Sequence, residues 1–481
     1  MIGSGKKPPS NVNHRFFKDT LMSIDAKSID LKDRFGDFFY RNLETLKNGL
    51  PEYINNKREG AIQNFQKYGI PNKKVEAYKY TDLNPAFQQN YRTYIQPKKI
   101  DFDLNDIFHC DVPALDTHVV LLLNGWFYEK KTPQKKLPNG VIITSLREAA
   151  NQYPDIVEKH YNRYADSEKE SLTALNTAFA QDGVFIYVPK GKTMDKPVQI
   201  INLLMDEEDG MSQHRNLFVM EEGTRSQVIV CDHTLSQRNF LTNSVTEVYA
   251  GANAQMDFVR IQNEHNGSTQ LSNFYLSQQR DSRVTANTIS LHGGLIRNNY
   301  NLRLNGENCE NNTMGLYLTD RGQHIDSYVH MDHAYPHCRS NQLFKGVLDD
   351  YATGAFNGRI LVQQDAQKTE AYQANNNILL TDDAKMNSKP QLEIYADDVK
   401  CSHGGTSGQL NEDAMFYLRS RGIPLKEAQL LLMYAFAHEI IGQIHIKPLQ
   451  DRIHELTEKR LRGELSRCNY CQMHCGDAGK N

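Results

Sequence analysis

The stretch DDVKCSHGGT, residues 397–406, sets a thiol and an imidazole two positions apart, Cys401 and His403, just ahead of glycine and threonine. Such a pair can bind a metal, run a nucleophilic reaction or simply fill a core, and the backbone that carries it decides which. Taken as one strand, LEIYADDVKCSH puts Glu393, Tyr395, Asp397, Val399, Cys401 and His403 on one face. Leu392, Ile394, Ala396, Asp398, Lys400 and Ser402 then fall on the other. Cys401 and His403 would stand roughly 6.5–7 Å apart, too far for a nucleophile and its base but suited to two groups lining one cavity. The plain alternative is a small core thiol beside a hydrogen-bonded histidine at a strand end.

Two other clusters invite metal chemistry. QHIDSYVHMDHAYPHC holds His324, His330, His333, His337 and Cys338, but the spacings repeat neither a paired zinc finger nor a HExxH helix. On strands these side chains would scatter over both faces, which favours ordinary structural roles. CNYCQMHC near the C-terminus holds Cys468, Cys471, His474 and Cys475, which would share one face of a helix and could take a soft metal or a cluster. A terminal segment with free thiols fits the same residues. GSGKK, residues 3–7, lacks the spacing and preceding strand of a phosphate loop.

The elements that must position these residues change character along the chain. Residues 22–115 read as a polar helical domain, in which KREGAIQNFQKYGIPNKK closes with Gly69 and Pro71. Residues 116–174 are a transitional segment with one strand-like run at HVVLLLNGWFY. From 175 to 408 short β-rich runs recur between turn residues, with a loose recurrence every 25 to 32 residues through Gly191, Gly223 and Gly251. A sandwich or barrel would also suit, but this recurrence and the abundant asparagine point to a parallel β-helix. Residues 409–467 return to helix, opened at Pro424 and Pro448, with Leu425, Ala428, Leu432, Ala435 and Ile440 as one stripe. We expect these helices to cap the open end of the solenoid and to present a docking face. Residues 1–21 read as a leader with Met22 as a native start, and 468–481 as a cysteine-containing tail.

The 481 residues carry 55 basic and 58 acidic side chains, a near balance that argues against a nucleic-acid or anionic-membrane footprint. No apolar run reaches the roughly 18 residues of a membrane span, and the first residues lack an apolar export core. Eight cysteines are too sparse for a disulfide scaffold, so reduced thiols in a cytoplasmic setting are expected.

The stretch HAYPHCRSNQLFKGVLDDYATGAFNGRILVQQDAQKTEAYQANNNILLTDDAKMNSKPQLEIYADDVKCSHGGTSGQLNEDAMFYLRSRGI closely resembles the SufB/SufD family of the SUF iron–sulfur cluster assembly system. GIPNKKVEAYKYTDL, residues 69–83, is similar to the segment that precedes the core in that family. Gly404 follows His403 where SufB-like chains carry glutamate, so the likeness is to the SufD form; Gly405 stands where the family usually has alanine. The resemblance implies a right-handed parallel β-helix between helical domains, and a non-enzymatic scaffold that partners a SufB-like paralogue and the SufC ABC-type ATPase. It places the ATPase dock on the C-terminal helices, for which Leu425, Ala428 and Leu432 are the candidates. It also implies transient iron or an iron–sulfur cluster near His403 and Cys401, with no cofactor held tightly by the isolated chain. A SufD homodimer is a second form, and the resemblance is silent on the CNYCQMHC tail. Rival readings are a solenoid hydrolase or lyase using Asp397 or Glu393 with His403, and a module that only binds proteins.

Overall fold

The computed structural model describes residues 30–98, 115–128 and 135–464. From Val184 onward most successive strands alternate between two sheets and run parallel within each. The first sheet stacks Val184–Val188, Arg215–Met220, Phe240–Ala250, Thr269–Gln278, Leu295–Leu304, His324–His333, Thr353–Val362 and Lys385–Ile394. The second stacks His118–Leu123, Val198–Leu204, Arg225–Thr234, Gln255–Asn263, Arg283–His292, Glu310–Thr319, Arg339–Leu348, Glu370–Leu379 and Lys400–Gly408. Thr269 lies beside Leu295 and Thr353 beside Lys385, so one turn of this parallel β-solenoid takes 26 to 32 residues.

The turns close on a column of left-handed residues. Gly191, Gly223, Asn253, Asp281, Asn308, His337 and Lys368 all have positive φ. Each donates its backbone N–H to a carbonyl one coil further on: Glu222, Ala252, Arg280, Glu307, Pro336, Gln367 and Asp398 respectively. Gly251, which the glycine recurrence suggests as a member, lies beside this column. Its role is close approach, because a Cβ there would come within 2.8 Å of the Glu221 carbonyl carbon.

Between the sheets, apolar side chains fill one side of the lumen, with Phe258, Phe274, Tyr300, Phe344 and Phe356 in successive ring contacts of 4.8 to 6.3 Å. Polar groups fill the other side. Asp232 there accepts from Arg260 Nε at 2.7 Å and from Asn202 Nδ2 at 2.6 Å.

Both outer faces are covered by helices. The N-terminal helices Leu31–Arg41 and Arg58–Tyr68 pack with Ser171–Phe179 over the first sheet, where Phe35, Phe39, Phe65, Phe87 and Phe179 meet Leu241 and Leu271. Gly69, at φ 69°, ends the second of these helices, as its sequence predicts. At the other end of the chain Asn411 caps Glu412–Ser420 by accepting from the Ala414 N–H at 2.8 Å. The helices Leu425–Ile441 and Lys447–Leu461 do not cap the end of the solenoid. They lie along the outer face of the second sheet, burying Ile229, Ile261, Ile289, Leu316 and Val347 under Met433, Ala437, Ile440 and Ile453. Lys345 fixes the docking by bonding the Phe436 carbonyl at 3.2 Å and the Glu439 carboxylate, and Arg460 reaches Asp320 at 2.7 Å. The last strands of both sheets are left uncovered by this arrangement.

Glu264 lies in the polar half of the lumen, 2 % exposed. Burial, reinforced by Asp232, pushes its carboxyl up to about 8 against the pull of Arg260 and His233. It is therefore protonated in the fold and ionised in the unfolded chain between pH of about 4.5 and about 8. Its contribution to stability is complete below that window and is lost as pH rises through it. Glu264→Gln should match the parent in urea unfolding near pH 4.5 and exceed it by roughly 4 kcal/mol at pH 8. Equal differences at both pH values would mean that the carboxylate is ionised and satisfied inside the lumen.

Candidate functional site

Lys400–Gly408 is the last strand of the second sheet and pairs on one side with Glu370–Leu379. Ala371 lies beside Cys401, Gln373 beside His403 and Asn375 beside Gly405. Ala371, Gln373 and Asn375 are interior residues, so Cys401 and His403 point along the lumen at its open end. Cys401 is half-buried against the apolar interior, and burial pushes its thiol up, which keeps it protonated and a poor ligand. His403 is exposed, as is nearly the whole strand. The common face expected for these two side chains is present.

The longer row of ligands is not. The chain turns a corner between Ile394 and Lys400, so Glu393 and His403 belong to strands of different sheets. Glu393 lies on the outer face, held by Arg359 through Nε–Oε1 at 2.8 Å and Nη2–Oε2 at 2.6 Å, which draws its carboxyl below the usual range. Asp397 is exposed on the corner. The corner has no glycine or proline to mark it; it forms because Asp398 accepts the Lys368 N–H and side chain. No carboxylate on the histidine's own face remains from the expected row.

The histidine cluster disperses. His324 faces outward, held by the Thr81 and Thr353 hydroxyls at 2.9 and 2.7 Å. His330 shares that outer face, near Arg359. His333 points inward to the Ser340 hydroxyl at 2.8 Å, where burial pushes it down to about 3. His337 occupies the left-handed corner column, and Cys338 is buried with its Sγ 3.2 Å from the Gly306 carbonyl. Among the described residues no group of three or more ligating side chains is placed to hold a metal. Cys468, Cys471, His474 and Cys475 lie outside the described residues.

The stripe proposed for the C-terminal helices divides. Ala428 is fully buried within the helical layer, so it cannot touch a partner, while Leu432 is half-buried and Leu425 is 44 % exposed. The surface instead offers Phe416 and Tyr417, 75 % and 57 % exposed, on a helix with no buried residue. Leu425, named from the sequence, is joined among exposed apolar residues by Phe416, Tyr417 and Leu431, which sequence reasoning missed. The pair of neighbouring aromatics in AMFYL was the available signal, since that helix has no apolar stripe to bury them.

A ladder of opposite charges follows the corner where the second-sheet strands begin. Arg283 meets Glu310 at 3.3 Å, Arg339 meets Glu370 at 3.9 Å, and Lys400 meets Glu370 at 3.3 Å. Lys400 is its last rung.

Residues 203–436 match the family model for the SufBD core domain of SUF-system FeS cluster assembly, and residues 29–200 match that for the SufBD protein N-terminal region. An iron–sulfur cluster assembly SufBD family protein of Synechocystis sp. is 30% identical over 84% of this chain and 90% of its own length. The iron–sulfur cluster assembly protein SufD of Escherichia coli is 28% identical over 84% and 92%, and that of Bacillus subtilis is 24% identical over 86% and 96%.

Proposed function

The chain belongs to the SufBD family of SUF iron–sulfur cluster assembly proteins, and on that premise we propose that it is a non-enzymatic scaffold subunit of an assembly complex. Its open solenoid end pairs with a SufB-like paralogue, its C-terminal helices receive a SufC-type ABC ATPase, and His403 binds iron as the cluster is built. The observation that carries this reading is the exposed His403 at an unpaired strand edge, beside a half-buried thiol.

Each part has a physical basis. The last strands of both sheets have a neighbour on one side and present unmet backbone donors and acceptors on the other, which a strand of a second solenoid can satisfy. Lys400 ends the charge ladder as a cation, so an acidic side chain is the complementary next rung. Neutral imidazole is a borderline ligand suited to iron and can hold it through one nitrogen while the other is fixed by a neighbour. Of the two carboxylates a hydrolase reading could use with His403, Glu393 is engaged by Arg359 on another face and Asp397 is exposed on the corner before the strand. The cluster is cargo, and the work of building it would come from ATP turned over by the partner.

His403→Ala should leave folding and recovery of the partners unchanged, since exposed substitutions usually act within about 0.5 kcal/mol. Iron and acid-labile sulfide on the co-purified complex should fall by at least about tenfold. Cys401→Ser should reduce them less, because a thiol held protonated contributes little as a ligand. Clusters that build at the parent rate on His403→Ala complexes would make the histidine structural and sink this site.

The docking surface is tested by point substitution, because removing the helices would strip the cover from the second sheet. Phe416→Ala, Tyr417→Ala and Leu425→Ala combined should cut ATPase recovery by at least about tenfold while the melting temperature holds. Undiminished recovery would put the dock elsewhere.

A further inference from the structure

Two polar atoms buried at the open end of the lumen have no partner: Gln373 Oε1 and Ser388 Oγ. Gln373 is the residue directly beside His403 in the strand register, one coil in, and is 3 % exposed. Leaving a buried amide carbonyl unmet forfeits the hydrogen bond it made to water, so a group in this position is expected to have a donor when the site is complete. Its other end is fixed. Gln373 Nε2 donates to Gln342 Oε1 at 2.6 Å, one further coil in. Across the lumen Gly358 leaves room for the same amide, where any Cβ would collide with it.

The column therefore runs Gln342, Gln373, His403, each in register with the next. The lower rung shows that side chains of this column hydrogen-bond from one coil to the next. The upper rung has its acceptor in place and an imidazole above it. His403 is exposed, so its ring can turn about its side-chain torsions without displacing packed neighbours. Gly405 keeps the same floor open, since a Cβ there would stand 2.9 Å from Ser388 Oγ.

We propose that Gln373 is the positioning residue of the site: its carbonyl oxygen accepts a ring N–H of His403, fixes the imidazole over the mouth of the lumen, and leaves the other ring nitrogen as a lone pair aimed outward for a metal. The inference rests on the iron-binding reading for its purpose, but the hydrogen bond itself is a property of the metal-free chain. Partners of this kind commonly change metal affinity or activity 10–100-fold in histidine sites, by setting the tautomer and holding the ring. Gln342 is the support below, orienting the amide so that its carbonyl and not its NH2 faces the histidine.

The test reads the bond directly. The full chain is labelled with 15N-histidine in a deuterated background, and His403 is assigned by the signal lost in His403→Gln. A ring N–H engaged by Gln373 is sheltered from exchange and should give a resolved proton signal near neutral pH, whereas a freely exposed ring N–H exchanges away. The signal should vanish in Gln373→Met, which keeps the length but has no strong acceptor, and return in Gln373→Glu, which restores one. On the assembled complex, Gln373→Met should lower iron and sulfide about tenfold, with Gln373→Glu recovering most of it. A parent spectrum without the sheltered His403 proton overturns the proposal, and needs no variant to fold. A signal that persists in a folded Gln373→Met chain overturns it equally. If His403→Ala complexes still build clusters while the parent chain shows the sheltered proton, the iron reading falls and the hydrogen bond stands.

Discussion

The interaction on which this structure depends is the backbone hydrogen bond between one coil and the next. From Val184 onward, no described solenoid strand is paired with the strand that follows it in sequence; its donors and acceptors are met by residues about one turn away, as in the register of Glu310, Arg339, Glu370 and Lys400. The corner column obeys the same rule, for Gly191, Gly223, Asn253, Asp281, Asn308, His337 and Lys368 each donate into the next coil. A stack built this way leaves, among the described residues, a strand edge on each sheet at its last coil, where a full strand's worth of groups has nowhere to go. The site we propose lies where that constraint fails.

The helical domains share the remaining work by covering the sides. Both sheets are apolar on their outer faces as well as within, so neither could face water alone. The N-terminal helices answer this on one sheet and the C-terminal pair on the other, each adding a few polar ties. Fully buried Arg58 holds the carbonyls of Ala178 and Ala180, and Arg297 is bound by Asp326 and lies over the Tyr78 ring. Because the covers lie along the stack and not across it, the end coil stays open. The helix Glu412–Ser420, which buries no residue of its own, is the part of the C-terminal layer left free to receive something else.

Much of this was legible in the sequence, and the failures have physical causes. The switch from helical to strand texture, the approximate repeat and the helix boundaries at Gly69, Asn411 and Pro424 all show in local chemistry. The corner ladder shows only in part, because what it demands is positive φ with a free N–H. Glycine announces that demand at 191 and 223, but Asn253, Asp281, His337 and Lys368 meet it silently. The same blindness joined two strands into one across residues 395–399, where a carboxylate and a backbone carbonyl make the turn. Ala428 was misjudged for another reason: the long helix is buried both against the sheet and against its neighbours, so a stripe read on one face does not say which side is wet.

Cys401 and His403 share a face and an end of the fold, yet the structure separates them chemically. The thiol packs against the apolar half of the lumen, and the same burial that makes it a good plug holds its proton in place. The imidazole stands over the polar half, in register with Gln373 and Gln342. In the role proposed for it, accepting iron and later releasing it, an imidazole nitrogen would benefit from that difference, since it binds more weakly than thiolate. The open coil thus offers two things at once: an unmet strand edge on which a partner strand would pair, and beside it the exposed imidazole of the proposed site, which such a partner would enclose.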